Sequence, residues 1–272
     1  MPTRTITSLP DLGVLLVAGP DSRRFLQGQL SNDLDRLDAA PGLRAGLHTP
    51  QGRVIAVLQL LPAGEDVLLV LPRELAPVVA SHLRRYILRA KVRIEDLSDR
   101  QPVCGIEAGN VRILTATPAT DAAAPDRTGS AEAWHARDIA LGLPQVYAAT
   151  SGTFIAQMLN LDHVEGISFT KGCYTGQEII ARAHYRGRVK RRAQRFRTGA
   201  AVPLSPGDRV VFVDGRTAEV VDVAAPVATM REFLAVTALP GSTEEPSPAD
   251  PALPRIDAEA LPLPYALESD AG

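Results

Sequence analysis

The most apolar region of the chain, residues 54–71, sets the first constraint on its fold. It is broken by Pro62-Ala63-Gly64-Glu65-Asp66, which leaves two pieces far shorter than the ~20 residues that a membrane-spanning helix needs. Two apolar runs around a turn read as a strand hairpin instead. A helix candidate follows over residues 73–86 and a strand over 91–97, so this part reads as a small α+β unit, of split β-α-β or ferredoxin-like kind. With 272 residues the chain has room for two or three modest domains.

Ahead of the hairpin, residues 14–17 form a short strand candidate that ends in Gly19-Pro20-Asp21. A helix is expected over 22–34, capped by Asp21 or Ser22, with Phe25, Leu26 and Leu30 on one face. Its end, Gln27-Gly28-Gln29-Leu30-Ser31-Asn32-Asp33, is rich in hydrogen-bonding side chains, which either line a pocket or cap the helix through Asn32 or Asp33. Cys104, within Pro102-Val103-Cys104-Gly105-Ile106, reads as a core strand residue. Residues 115–130 lack periodicity and read as a loop or a shortened remnant of structure. Residues 202–239 alternate short β-branched runs with turn signals, the pattern of a small antiparallel barrel. The Pro/Ser/Glu-rich segment 240–254 reads as a flexible excursion, and Leu261-Pro262-Leu263-Pro264-Tyr265 as an extended tail docked on the body.

Composition narrows the setting. A net charge of −2 gives no overall pull toward nucleic acid or a membrane surface. Two cysteines, Cys104 and Cys173, make neither a disulfide framework nor a paired-cysteine zinc motif, which favours a reducing, cytoplasmic compartment. Residues 1–9 lack the features of a signal peptide. Against the slightly acidic whole, residues 182–197 carry eight basic side chains and no acidic one: Arg182, Arg186, Arg188, Lys190, Arg191, Arg192, Arg195 and Arg197. That window is either a solvated basic strand or a local anion-attracting surface. The lone tryptophan, Trp134, is either core or a flat face on which a planar ligand stacks.

The strongest chemical signal is Phe169-Thr170-Lys171-Gly172-Cys173-Tyr174-Thr175-Gly176-Gln177-Glu178. Ile179, Ile180 and Ala183 continue it as a helix face, with Thr175 expected as N-cap and Glu178 completing a capping box. Cys173 would then stand just ahead of a helix N-terminus and two residues after Lys171, both of which favour thiolate over thiol. The alternative is that this cysteine packs as a small hydrophobe.

Lys171-Gly172-Cys173-Tyr174-Thr175-Gly176-Gln177-Glu178, with Gly166-Ile167-Ser168-Phe169 before it and Ala181-Arg182 after it, resembles the signature of the YgfZ family of folate-binding proteins, relatives of the glycine-cleavage aminomethyltransferase. Phe25 to Asp33, Gln51-Gly52-Arg53 and Leu261 to Tyr265 add to the resemblance. It implies an α+β fold of three parts in a ring: a split folate-binding domain (1–48 and 101–188), a ferredoxin-like domain (49–100) and a C-terminal β-barrel (189–272). It implies tetrahydrofolate or a derivative in a central pocket, no stably bound metal, and a cytoplasmic role in assembly or repair of iron-sulfur proteins, including tRNA-modifying enzymes. Iron-sulfur apoproteins or their assembly machinery would be the partners, without a membrane and without direct nucleic-acid binding. Cys173 would be the functional thiol with Lys171 beside it, and Trp134, Gln29, Asn32, Tyr174, Gln177, Glu178 and Arg182 would form the cofactor-binding set.

The departures from the transferase relatives bear on activity. Ala140 stands where they carry a pterin-binding glutamate, Ile55 or Ala56 where they carry a catalytic aspartate, and Leu12 at a second aromatic folate position. An apolar residue can neither orient nor protonate an amine-bearing intermediate. The resemblance therefore implies an accessory role without classical turnover, with a folate-dependent aminomethyltransferase as the alternative.

Overall fold

A computed structural model describes residues 3–109, 111–116, 127–186, 189–240 and 252–267. Strand β1 (Arg4–Ser8) belongs to a four-stranded sheet, and the chain turns from it into β2 (Leu12–Ala18) of a five-stranded one. After helix α1 (Ser22–Gln27), the same five-stranded sheet takes β3 (Leu43–His48), β4 (Val54–Ala63) and β5 (Asp66–Pro72). Helix α2 (Ala76–Arg84) and the edge strand β6 (Arg93–Asp96) complete that unit. The sheet thus draws strands from both sides of residue 48. The four-stranded sheet is then finished by β7 (Cys104–Ala108), β8 (Val111–Thr115) and β9 (Arg127–Thr128).

The β4–β5 hairpin is where the sequence placed it, and its residues explain the unbroken apolar run. Leu58, Leu60, Leu69 and Leu71 face the main core with Leu26, Leu75, Val79 and Leu83. Leu61, Leu68 and Val70 pack on the opposite face against Val103 and Trp134. A sheet covered on both faces needs no polar alternation. Ala63 pairs with Asp66, so the turn residues are Gly64 and Glu65, and Gly64 takes φ +67°.

Helix α1 is shorter than the span 22–34. It stops at Gln27, and a separate 3-10 turn covers Leu34–Ala39. The carbonyls here are taken by a distant segment instead of a continuing helix: Lys171 Nζ donates to the carbonyl oxygens of Gln27 and Leu30 at 2.8 Å and of Asn32 at 2.7 Å, while Thr175 N donates to Gly28 O and Ser168 N to Ser31 O. Ser31 Oγ donates to Gly166 O at 2.6 Å and accepts from Gly46 N at 2.8 Å, which pins the same segment from two sides.

Helices α3 (Ala131–Ala140) and α4 (Gln177–Tyr185) precede the C-terminal sheet. That sheet is a six-stranded half-barrel of β10 (Arg191–Gly199), β11 (Arg209–Phe212), β12 (Thr217–Val223), β13 (Met230–Ala238), β14 (Arg255–Ile256) and β15 (Glu259–Leu261). Phe196, Phe212 and Phe233 form its centre. Residues 117–126 of the expected loop and 241–251 of the Pro/Ser/Glu-rich segment lie outside the described residues; β9 shows that the end of the former pairs with β1. The tail docks as expected: Tyr265 stacks on His163 at 5.4 Å and donates its hydroxyl to Gly142 O at 2.8 Å.

Candidate functional site: a central cavity and a separate thiol loop

The thiol loop is built from three segments far apart in sequence. Lys171, buried, is locked onto the 27–32 carbonyls described above, and its ammonium also lies 5.3 Å from the ring centre of Tyr174. Burial pushes Lys171 down to about 8, opposed by the charges of Asp33 and Asp35. Tyr174 is buried against His48, with ring centres 6.3 Å apart, and burial raises its phenol above the ordinary tyrosine range. Neither ring nitrogen of His48 has a hydrogen-bond partner among the described residues, and burial holds it neutral with a pKa of about 3. Between these anchored neighbours, Cys173 is exposed, whereas Cys104 is buried as a core residue.

The expected capping box does not form. Gly176, in the left-handed region at φ +84°, is the N-cap of α4, and no side chain caps the helix. The reason is packing: a Cβ at Gly176 would stand 2.7 Å from Thr49 O and 3.2 Å from Gly52 Cα. The Gln51-Gly52-Arg53 turn therefore presses directly on the cysteine motif, and Thr175 Oγ1 is directed to Gln29 Oε1 at 3.4 Å instead.

The other predicted residues of the cofactor set fall around this loop. Gln29 meets Thr175, and Asn32 spends its amide on Arg44 O and Glu165 O, each at 2.7 Å. Gln177 opens α4, while Glu178 and Arg182 are exposed on it. Three arginines of the basic window, all on β10, are paired with acids. Arg192 forms a two-pronged pair with Asp162 at 2.9 Å, Arg195 pairs with Glu232 at 2.7 Å and Arg197 with Glu259 at 2.5 Å. Arg188 lies outside the described residues.

Trp134 stands elsewhere, on the wall of a cavity of ≈1230 Å³ bordered by α3, β3, the start of β2 and the half-barrel. Only 7% exposed, it has Gly105 against one side, where a Cβ would lie 2.3 Å from the ring, and the Arg112 guanidinium 3.5 Å from its ring centre. Leu12 lines the same cavity. Ile55 and Ala56 are buried in β4, and Ala140 is the last residue of α3.

The polar groups of this cavity were not singled out in the sequence. Arg112 bonds Asp138 and donates to Trp134 O at 2.8 Å and Glu107 Oε1 at 3.1 Å. Burial raises the Asp138 carboxyl, and Arg112 works against that rise. Arg44 reaches in from β3 with one long bond among the described residues, to Val164 O at 3.4 Å, and burial lowers its pKa. At another part of the wall, His135 Nε2 meets Asp222 Oδ1 at 2.8 Å and the Tyr147 hydroxyl at 3.3 Å. The signal for one pair was present: His135 and Asp138 are three apart on a helix, hence on one face with Trp134 nearby.

A tRNA-modifying protein YgfZ from Yersinia pseudotuberculosis is 31% identical to the chain over 227 aligned positions, 69% of each protein. One from Klebsiella pneumoniae is 30% identical and aligns with 97% of this chain and 94% of its own length. The chain belongs to the YgfZ family. No family model matches it. Among solved structures, the glycine cleavage system aminomethyltransferase T of Bartonella henselae matches at a TM-score of 0.62, over 87% of this chain and 79% of that one. At 11% identity this likeness shows the fold alone: this YgfZ-family chain has the aminomethyltransferase-like α+β architecture.

Proposed function

We propose that this chain is a cytoplasmic, folate-binding accessory protein for the assembly or repair of iron-sulfur proteins, acting through Cys173. The observation that carries the reading is the thiol loop itself: an exposed cysteine held between two buried, anchored neighbours, Lys171 and Tyr174. A flexible surface cysteine needs none of that scaffolding. One thiolate cannot hold a cluster, which takes four ligands of that kind, so Cys173 acts as one ligand shared with a client or as a redox thiol. The relatives are named tRNA-modifying proteins, which supports clients among tRNA-modifying enzymes.

The cavity, at ≈1230 Å³ somewhat larger than the roughly 300–1,000 Å³ usual for small-molecule sites, has room for a reduced folate. It also fits in chemistry: Arg44, with one long bond among the described residues, suits the carboxylates of a glutamate tail, and the Arg112 guanidinium lies over the Trp134 ring on the same wall. Bound there, the folate would supply one-carbon or redox chemistry. Ile55 and Ala56 bring no ionisable group to the position of the transferase aspartate, which disfavours aminomethyl transfer.

The test is complementation in a strain lacking the gene. Cys173→Ala should leave iron-sulfur enzyme activities at the level of the deletion although the protein accumulates normally. Full restoration by Cys173→Ala would overturn the assignment of the thiol.

A further inference from the structure

Asp222 is the most buried acid at the cavity, 1% exposed, and sits at the irregularity in the β12–β13 register. Its Oδ1 accepts from Val223 N at 2.9 Å and meets His135 Nε2 at 2.8 Å. Its Oδ2 is buried and has no hydrogen-bond partner among the described residues. A buried carboxylate so poorly served by neutral donors is costly unless a positive charge stands beside it. The group in place to carry that charge is His135. Burial alone would lower the His135 pKa; the bond to Asp222 and the charges of Asp222, Asp138 and Asp11 outweigh it and raise it. Tyr147, from the loop after α3, completes the surroundings, with its own pKa raised by burial and by Asp222.

With Nε2 engaged by Asp222 and Tyr147, Nδ1 is the remaining polar atom of a side chain that is 34% exposed and lines the cavity. An imidazolium held this way presents a fixed, charged N–H to whatever fills the space. We propose that His135, oriented by Asp222, is a ligand-contacting residue of the cavity that donates from Nδ1 to an acceptor atom on a planar heterocycle, the ring carbonyl of a reduced pterin. This rests on the folate reading above. It divides the cavity into a ring-reading part at His135 and a carboxylate-reading part at Arg44, with Asp138 interacting with both.

Calorimetric titration across pH 6 to 9 tests it, with three probes: tetrahydrofolate, a tail-less methyltetrahydropterin, and p-aminobenzoylglutamate, which has the tail without the ring. In the wild type, the dissociation constants of the first two should weaken about tenfold per pH unit once His135 loses its proton, while that of the third stays flat. His135→Gln should abolish the pH dependence. Asp222→Asn should move its onset to lower pH by about one unit or more, a shift that a merely structural role would not produce. A pH profile shared by His135→Gln and the wild type, or one carried by the tail fragment, would overturn the proposal and leave the folate reading standing. Absence of tetrahydrofolate binding to the wild type at every pH would instead overturn that reading and this proposal together. Should either variant fail to fold by circular dichroism, the wild-type profiles of the three probes still decide the matter.

Discussion

Lys171 holds the thiol loop to the rest of the molecule, and replacing it with methionine shows how much. Lys171→Met keeps the apolar stem and removes the ammonium, so the carbonyls of Gln27, Leu30 and Asn32 lose their shared donor in a buried setting. Each charge-assisted bond contributes about 1.5–3 kcal/mol, and release of a buried ammonium offsets roughly half, which leaves a net loss of about 3 kcal/mol. For a chain of this size that corresponds to a fall in melting temperature of roughly 6–12 °C. Differential scanning calorimetry measures it, and amide exchange at residues 28–33 and 171–176 should quicken before the rest of the protein. The same residue predicts a pH signature. Its folded pKa of about 8 lies below the ordinary lysine value of 10.5, so between those values the unfolded chain binds more protons and stability rises with pH. Lys171→Met should lose that rise. A melting temperature within ~2 °C of wild type, with amide exchange unchanged, would refute the claim that this ammonium organises the loop.

Three further outcomes follow from the same geometry. Gly176→Ala places a Cβ 2.7 Å from Thr49 O in a left-handed residue and should cost about 1–3 kcal/mol by thermal unfolding, with the larger disturbance at the Cys173 loop. Native protein treated with an aromatic disulfide should release one equivalent promptly, from Cys173, and a second only in denaturant, since Cys104 is buried and burial raises its thiol pKa. His135 has a raised folded pKa, so the stability it contributes is complete below about 6.5 and fades as pH rises through the folded value; Asp222→Asn should flatten that stretch of the melting-temperature profile.

The elements legible in the sequence are those set by local pattern. The β4–β5 hairpin, β2, the core position of Cys104 and the docking of Tyr265 all follow from apolar runs and turn residues. What was not legible depends on partners far away in the chain. Residues 22–34 have a continuous helical pattern, yet α1 ends at Gln27, and the distant segment 168–175 takes the carbonyls there. Thr175 has the chemistry of a cap, but the close approach of Gly52 requires a glycine cap one residue later. The sequence leaves the basic window open between a solvated strand and an anion-attracting surface, because the acids that pair with Arg192, Arg195 and Arg197, namely Asp162, Glu232 and Glu259, come from three other segments. In the same way the contact of His135 with Asp222 joins α3 to β12, a pairing that no local spacing announces.

The central claim is that the chain keeps two separate working parts, a ligand cavity beside Trp134 and a thiol loop at Cys173. Titration of the wild type and of Cys173→Ala with tetrahydrofolate, followed by the fluorescence of Trp134, the one tryptophan of the chain, tests it most directly. The account predicts saturable quenching at one equivalent, with dissociation constants that agree within about twofold between the two proteins. Unquenched, unsaturated fluorescence in the wild type, or quenching that disappears with the thiol, would contradict it.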